Sequence, residues 1–170
     1  MNRRYLITGC SGGGKSTLIE RLAQRGQRVI REPGLRVIHG AGPKPWEDRL
    51  GFFAAAHRVS LDDLANTADA KEPIFFDRGL FDALSGMASR RKVPISRLIQ
   101  AEFHYAAPVF YVPPWPDIYE QTDDRPHGFE VALDEAKRLR RDLALLGIEV
   151  IELPRISVDR RAEIVLEAVA

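Results

Sequence analysis

Short apolar runs alternate along this chain with longer segments in which apolar residues recur every three or four positions. The short runs are typical of buried strands, and the longer segments are typical of helices that pack on one face. Their alternation predicts an α/β protein with a mainly parallel sheet, because helices long enough to cross back separate the strands. Strands are predicted over 4–8, 27–31, 73–77, 109–112 and 148–153.

The helical pattern predicts a helix after most of these strands. The first helix should end before Gly26, and Ser157 can cap the last one. Turn chemistry at Glu32-Pro33-Gly34 is expected to stop the second strand, and a loop rich in glycine and proline follows over 40–45. Helices are predicted over 15–24, 46–70, 80–89, 95–105, 129–146 and 157–169.

Composition narrows the class of protein. The chain has 170 residues, 45% of them hydrophobic and 29% charged, which suits one domain spanning residues 1–170. The net charge of +1 gives no electrostatic case for nucleic acid or membrane as a partner. One cysteine excludes an internal disulfide framework, and no apolar run reaches the length of a membrane span. The amino terminus does not read as a signal peptide, so we expect a cytoplasmic protein.

The candidate chemistry begins directly after the first predicted strand. Residues 9–16 fit the pattern G-x-x-x-x-G-K-[ST], between a strand and a helix as that motif requires. Glycines allow the backbone N–H groups to surround an anion, and the helix adds its positive end. Lys15 is expected to reach the β- and γ-phosphates of ATP, and Ser16 to ligate Mg²⁺. The predicted nucleotide-binding residues are Gly9, Cys10, Ser11, Gly12, Gly13, Gly14, Lys15, Ser16 and Thr17.

Two residues near this loop carry alternatives. The Cys10 thiol lies among cationic dipoles that can make it more acidic, or it simply occupies a variable position of the motif. Asp77 ends a buried strand, where ligands of a parallel sheet gather. It could hold Mg²⁺ through water, or it could cap the next helix and pair with Arg78.

Two further stretches resemble kinases of deoxynucleosides and of thymidylate. Arg31-Glu32-Pro33-Gly34 looks like the Glu-Pro turn after their second strand, and Asp77-Arg78-Gly79 looks like the acid-arginine pair that ends their third strand. In those families, both motifs face the phosphate acceptor. The resemblance therefore implies that Glu32, Arg31 and Arg78 lie on the acceptor side.

The resemblance is closer, and covers the whole chain, for a family of small bacterial proteins described as predicted ATPases. Besides the motifs above, Pro45–Arg49 and Pro113–Tyr119 carry it. That family is similar in layout to nucleotide kinases. It implies a P-loop three-layer sandwich around a five-stranded parallel sheet in the strand order 2-3-1-4-5.

Kinases of this layout have a lid between the fourth strand and the following helix, here over 122–128. The resemblance assigns Arg125 to stabilise charge on the transferring phosphoryl group, and a solvated turn is the alternative. Arg138, Arg140 and Arg141 are expected on a solvated helix face, as a reserve source of positive charge.

The function that these residues favour is Mg²⁺-dependent phosphoryl transfer from ATP to a small-molecule acceptor, such as a nucleoside, a nucleotide or a related metabolite. The alternative is a nucleotide-dependent switch or slow ATPase that acts through a protein partner. Glu32 could be the base for a hydroxyl acceptor, or it could orient Arg78 by a salt bridge. In the second case Arg31 and Arg78 would anchor a phosphate acceptor.

Overall fold

A parallel sheet of five strands lies at the centre of the structure, a computed structural model that describes residues 3–99, 103–124 and 126–170. The predicted α/β class and strand order are confirmed, since the strands run β2-β3-β1-β4-β5 across the sheet and pair in parallel. The strands are β1 (Arg4–Gly9), β2 (Arg28–Ile30), β3 (Ile74–Asp77), β4 (Ala106–Val112) and β5 (Val150–Glu152).

Helices cover both faces of this sheet and complete the expected three layers. One face packs against α1 and α6, and the other packs mainly against α4 and α5. The helices are α1 (Lys15–Gln24), α2 (Pro33–His39), α3 (Arg49–Ala65), α4 (Leu80–Arg91), α5 (Phe129–Leu145) and α6 (Val158–Val169). No helix within the described residues is long and apolar enough to cross a membrane.

Side chains of the central strands alternate between the two cores. On β3, Phe75 belongs to the core beneath α1 and α6, while Phe76 belongs to the core beneath α4 and α5. On β1, Ile7 belongs to the core beneath α1 and α6, and Leu6 belongs to the core beneath α4 and α5. Because both faces are buried, these strands read as continuous apolar runs.

The stretch Glu32-Pro33-Gly34 does not form the predicted turn; it begins α2. Proline is well tolerated at the first helical position, where its missing N–H has no intrahelical partner. Gly34 faces the Phe52 ring, where a Cβ would lie 2.9 Å from Cζ. The short helix therefore forms because it packs against α3, which the local sequence does not reveal.

Two other helix predictions are too long. The predicted helix over 46–70 spans Arg49–Ala65, because Asp48 provides the cap by accepting a 2.9 Å hydrogen bond from the N–H of Gly51. The predicted helix over 95–105 contains only a 3₁₀ turn, Ile95–Arg97, among its described residues. Residues 100–102 lie outside the described part, and β4 begins at Ala106.

The sheet register gathers the candidate residues at one edge. Asp77 pairs with Ile7 of β1, and Val112 pairs with Gly9. The carboxyl ends of β3, β1 and β4 are therefore neighbours, and the loops that follow them surround one region.

Candidate functional site

The loop between β1 and α1 has a backbone shape that favours glycine at several positions. Gly9 has φ +138°, and a Cβ there would collide with the carbonyl oxygen of Val112. Gly14 has φ +81° and immediately precedes the first residue of α1. A loop of this kind, followed by a helix N-terminus, directs N–H groups toward an anion. The glycines of the motif are thus needed by the loop geometry itself.

The Lys15 ammonium is buried and folds back on the loop. Its Nζ donates a 2.5 Å hydrogen bond to the carbonyl oxygen of Cys10. Burial lowers the pKa of Lys15 and Arg78 lowers it further, whereas Asp77 and Glu32 oppose this change. A buried cation beside loop N–H groups is a favourable partner for phosphate oxygens.

Asp77 and Ser16 form a pair suited to a divalent cation. The Ser16 hydroxyl lies 3.5 Å from Asp77 Oδ2, while Asp77 Oδ1 is buried without a hydrogen-bond partner among the described residues. Burial first, and then the Glu32 carboxylate, raise the pKa of Asp77 to about 7. A buried carboxylate oxygen without a partner, beside a hydroxyl group, provides hard oxygen ligands of the kind that suit Mg²⁺.

The cap of α4 comes from Asp82 and not from Asp77. Asp82 accepts a 3.2 Å hydrogen bond from the N–H of Gly79 and a 2.6 Å hydrogen bond from the Thr8 hydroxyl. The structure also shows no ion pair between Asp77 and Arg78 among the described contacts. The alternative role of Asp77 as a helix cap is therefore wrong.

Arg78 is the centre of a buried charge network. Its guanidinium lies 2.8 Å from Glu135, 3.3 Å from Asp82 and 3.3 Å from Glu32. Although burial opposes the charged form, Glu135, Glu32 and Asp82 together raise the pKa of Arg78. Its charge is thus balanced within the protein, and the Glu32–Arg78 salt bridge considered from the sequence is present.

Glu135 on α5 connects this network to the phosphate loop. Its carboxylate accepts hydrogen bonds of 2.9 Å from the N–H of Ser11 and 2.8 Å from Arg78. Burial disfavours its ionisation, but Arg78 and Lys15 lower the pKa of Glu135 to about 2. Sequence reasoning missed this residue. The sequence contained one signal for it, since Glu135 is an acidic residue on α5 beside the buried residues Ala132 and Ala136.

Asp82 was also missed, although the sequence contained a signal. It is a charged residue inside the stretch 80–84, whose other members are all buried apolar side chains. An acid in such a position needs a partner, and here Thr8, Gly79 and Arg78 provide it.

Three further side chains can be compared with their predictions. Burial raises the pKa of the Cys10 thiol, which favours the prediction that Cys10 occupies a variable position of the motif over that of an acidic thiol. Arg31 is exposed and forms its ion pair with Glu20 at 2.6 Å, not with the carboxylates that surround Arg78. Arg138 is only partly exposed and donates a 2.5 Å hydrogen bond to Ser85, whereas Arg140 and Arg141 are exposed as predicted. Arg125 lies outside the described residues.

Two cavities meet above the carboxyl edge of the sheet. The first, called here the donor cavity, has a volume of about 670 Å³ and contains the loop residues from Ser11 to Thr17 together with Trp115 and Arg161. The second, called here the acceptor cavity, has a volume of about 700 Å³ and lies between α3, α4 and α5. Ser11, Ser16 and Glu32 line both cavities.

The fold and the loop at its centre define a P-loop protein with a kinase-like layout. A family model described as "AAA domain" matches residues 4–161, and the chain belongs to this family. No protein with a curated description matches the chain in sequence.

Several solved structures share the fold. Deoxyadenosine kinase from M. mycoides, with dCMP and dCDP bound, is 12% identical, with a TM-score of 0.68 and 97% of each chain covered. NadR in complex with NR is 16% identical with a TM-score of 0.72, over 99% of this chain and 50% of that one. NadR with NAD and AMP-PNP is 15% identical with a TM-score of 0.67, over 99% of this chain and 48% of that one.

Proposed function

We propose that this protein, acting as one domain over residues 1–170, transfers the γ-phosphoryl group of ATP to a hydroxyl group of a small acceptor of the nucleoside or nucleotide class. The observation that carries the proposal is the meeting of two cavities at Ser11, Ser16 and Glu32. In-line transfer requires a donor and an acceptor on opposite sides of one point, held in position and neutralised in charge.

The donor cavity suits a nucleoside triphosphate. The loop from Gly9 to Thr17 and Lys15 would bind the phosphates through backbone N–H groups and the buried ammonium. Trp115 lines the other part of the cavity, and its ring lies 5.4 Å from the Arg161 guanidinium. An aromatic ring held in this way can stack on a base.

Ser16 and Asp77 would hold Mg²⁺, which their geometry and the buried Asp77 oxygen support. When bound, Mg²⁺ supplies positive charge that neutralises the oxygens of the β- and γ-phosphates. The contribution of Asp77 is to keep a carboxylate at the end of β3, where it faces the first turn of α1.

The charges around Glu32 favour a hydroxyl acceptor over a phosphate acceptor. A phosphate acceptor needs cations at the transfer point, but Arg78 is already balanced by three carboxylates and Arg31 pairs with Glu20. A hydroxyl acceptor instead needs a base, and Glu32 lines both cavities. Glu32 would take the hydroxyl proton as the new oxygen–phosphorus bond forms and the bond to the leaving ADP oxygen breaks.

Arg125 completes the proposal as the lid residue that stabilises charge on the transferring group, a role in which arginines supply factors of about 10³–10⁵. The deoxyadenosine kinase structure with bound nucleotides and the NadR structures with NR or AMP-PNP show that the fold accommodates such ligands in other proteins. They support a nucleoside-like acceptor here.

The proposal is tested by acceptor-dependent formation of ADP. Purified protein with Mg·ATP is screened against nucleosides and related hydroxyl compounds in a coupled ADP assay. We expect ADP only when an acceptor is present, and none with the Lys15→Ala variant. The matched control is Lys71→Ala, which removes an exposed lysine far along the chain from the loop. ADP formation that no acceptor changes, or that only an added protein stimulates, would favour a switch or ATPase instead.

A further inference from the structure

The acceptor cavity extends beyond the proposed point of phosphoryl transfer, because it follows one face of α4. Asp82, Ala83, Gly86, Ser89 and Arg90 of that helix line it, at the spacing of three and four that places side chains on one face. Asp82 contacts Thr8 and Arg78 at the proposed transfer point. Arg90 comes eight residues later, which corresponds to about 12 Å at a rise of about 1.5 Å per residue.

Two further helices bring arginines to the far end of this cavity. The helix α3 runs antiparallel to α4, since Phe53 meets Gly86 while Ala56 shares a core cluster with Ala83. The first residue of α3, Arg49, is therefore close to the last turn of α4. On α5, Asp142 accepts a 2.6 Å hydrogen bond from Ser85 in the middle of α4, and Arg141 next to it lines the cavity.

The balance of charge differs between the two ends. Near the transfer point the guanidinium of Arg78 is matched by carboxylates. Farther along, Arg141 pairs with Asp142 at 2.8 Å. Arg49 and Arg90 have neither an ion pair nor a hydrogen bond within the part of the chain that the structure describes.

The acidic residues that line the same cavity do not cancel this excess. Asp134 lies 3.6 Å from Lys137 and Asp124 lies 2.9 Å from His39, which is charged only when protonated, and neither carboxylate forms an ion pair with Arg49 or Arg90 within the described residues. Positive charge therefore remains at the far end of the cavity. Arginine guanidinium groups bind carboxylates and phosphates through paired hydrogen bonds, so unpaired arginines at this end of the cavity favour an anionic ligand.

We propose that the acceptor carries an anionic group, a phosphate or a carboxylate, at the end opposite the hydroxyl that receives the phosphoryl group. Arg49 and Arg90 bind this anion, and the aromatic side chains Trp46, Phe52 and Phe53 contact the part of the acceptor between its two ends. The inference rests on the proposed transfer to a hydroxyl group and narrows its substrate class to elongated anionic compounds.

The test uses the tryptophan that lines the acceptor cavity. The chain has two tryptophans, so a Trp115→Phe background leaves Trp46 as the single fluorescent reporter. With the donor cavity saturated by Mg·AMP-PNP, three probes are titrated. They are adenosine, N6-(1,2-dicarboxyethyl)adenosine, whose carboxylates lie on the base remote from the 5′-hydroxyl, and inorganic phosphate.

We expect the dicarboxylate to bind at least ten times more tightly than adenosine, a difference of about 1.4 kcal/mol. The double variant Arg49→Ala/Arg90→Ala should reduce that preference to below about threefold and leave the affinity for adenosine unchanged. The matched control Arg58→Ala/Arg91→Ala removes two exposed arginines of the same helices that do not line the cavity, and it should keep the preference. Inorganic phosphate should compete with the dicarboxylate in the background protein but not in the Arg49/Arg90 variant.

Equal affinity for the two nucleosides, the absence of any saturable anion response, or a preference that survives the Arg49/Arg90 variant would overturn the inference. The proposed function is judged separately by ADP formation. Acceptor-dependent ADP formation with neutral acceptors, together with no preference for the dicarboxylate in the protein that keeps both arginines, would reject this inference and keep the kinase function. Anion binding at these arginines in a protein that forms no acceptor-dependent ADP would keep the anion site and reject the kinase function.

Discussion

Asp77 brings an ionisable carboxyl group into the interior with one oxygen lacking a hydrogen bond among the described residues. Burial and the nearby Glu32 carboxylate raise the pKa of Asp77 to about 7, from an ordinary value of 3.8. Between these two values the folded protein holds a proton that the unfolded chain has lost. The free energy of unfolding should therefore decrease as pH rises through this window.

The variant Asp77→Asn removes this titration. In the presence of a chelator, we expect its stability relative to the wild type to increase from about pH 5 to about pH 8, because only the wild type loses stability from ionising Asp77. Urea unfolding across this range measures the difference. The control Asp62→Asn, which removes an exposed carboxylate of α3, should follow the wild type at every pH. Parallel pH curves for Asp77→Asn and the wild type would contradict the assigned pKa.

Glu32 provides a second prediction at the residue scale. With an acceptor identified, Glu32→Gln should lower kcat by about a hundredfold or more, because a positioned base contributes about 10²–10⁴. The acidic limb of the pH profile should disappear, while the affinity for Mg·ATP changes little. Glu20→Gln, which loses only the exposed pair with Arg31, is the control. A loss below about tenfold with the limb retained would leave Glu32 as a salt-bridge partner of Arg78.

The sequence revealed candidate residues when they were contiguous or ended a strand. The loop from Gly9 to Ser16 is one uninterrupted motif, and Asp77 ends an apolar run. Glu135 became a candidate only in the structure, because its contacts with Ser11 and Arg78 span more than 50 residues of chain. Charge partners this far apart leave no local pattern of spacing.

Among the elements, α5 has the most direct connection to the phosphate loop. The Glu135 carboxylate on α5 accepts hydrogen bonds from the Ser11 N–H and from Arg78. This one side chain therefore connects α5 to the loop after β1 and to the turn before α4. Removing an acceptor that serves two donors leaves both without that partner.

We therefore expect Glu135→Ala to lower the free energy of unfolding by about 2 kcal/mol, the range for hydrogen bonds to charged groups. Its neighbour Asp134→Ala loses only an exposed pair with Lys137 and should change stability by less than about 0.5 kcal/mol. Denaturant unfolding compares the two variants with the wild type. Equal effects of the two substitutions would show that Glu135 does not connect these elements.

Element prediction succeeded where the apolar pattern was long and failed where packing decided the outcome. The alternation of strands and helices gave every strand of the sheet. In contrast, α2 forms at a proline-glycine pair because Phe52 covers Gly34, and the predicted helix after Ile95 is only a 3₁₀ turn among its described residues. Helix boundaries also depended on which residue supplied the cap, as at Asp48.

At the scale of the whole molecule, the strand order explains why the site exists. Placing β1 between β3 and β4 brings the glycine loop beside Asp77 and beside the loop after Val112. The donor and acceptor cavities are both lined by residues of this loop. Separate cavities that share Ser11, Ser16 and Glu32 are the basis for the proposed transfer from one bound molecule to another.

The most direct test of this account follows the γ-phosphoryl group itself. Phosphorus NMR of the protein with Mg·ATP and an acceptor found in the screen distinguishes a phosphate ester from inorganic phosphate. The account predicts a phosphate monoester of the acceptor that accumulates in step with ADP. Release of the γ-phosphoryl group only as inorganic phosphate, at a rate that no acceptor changes, would contradict it.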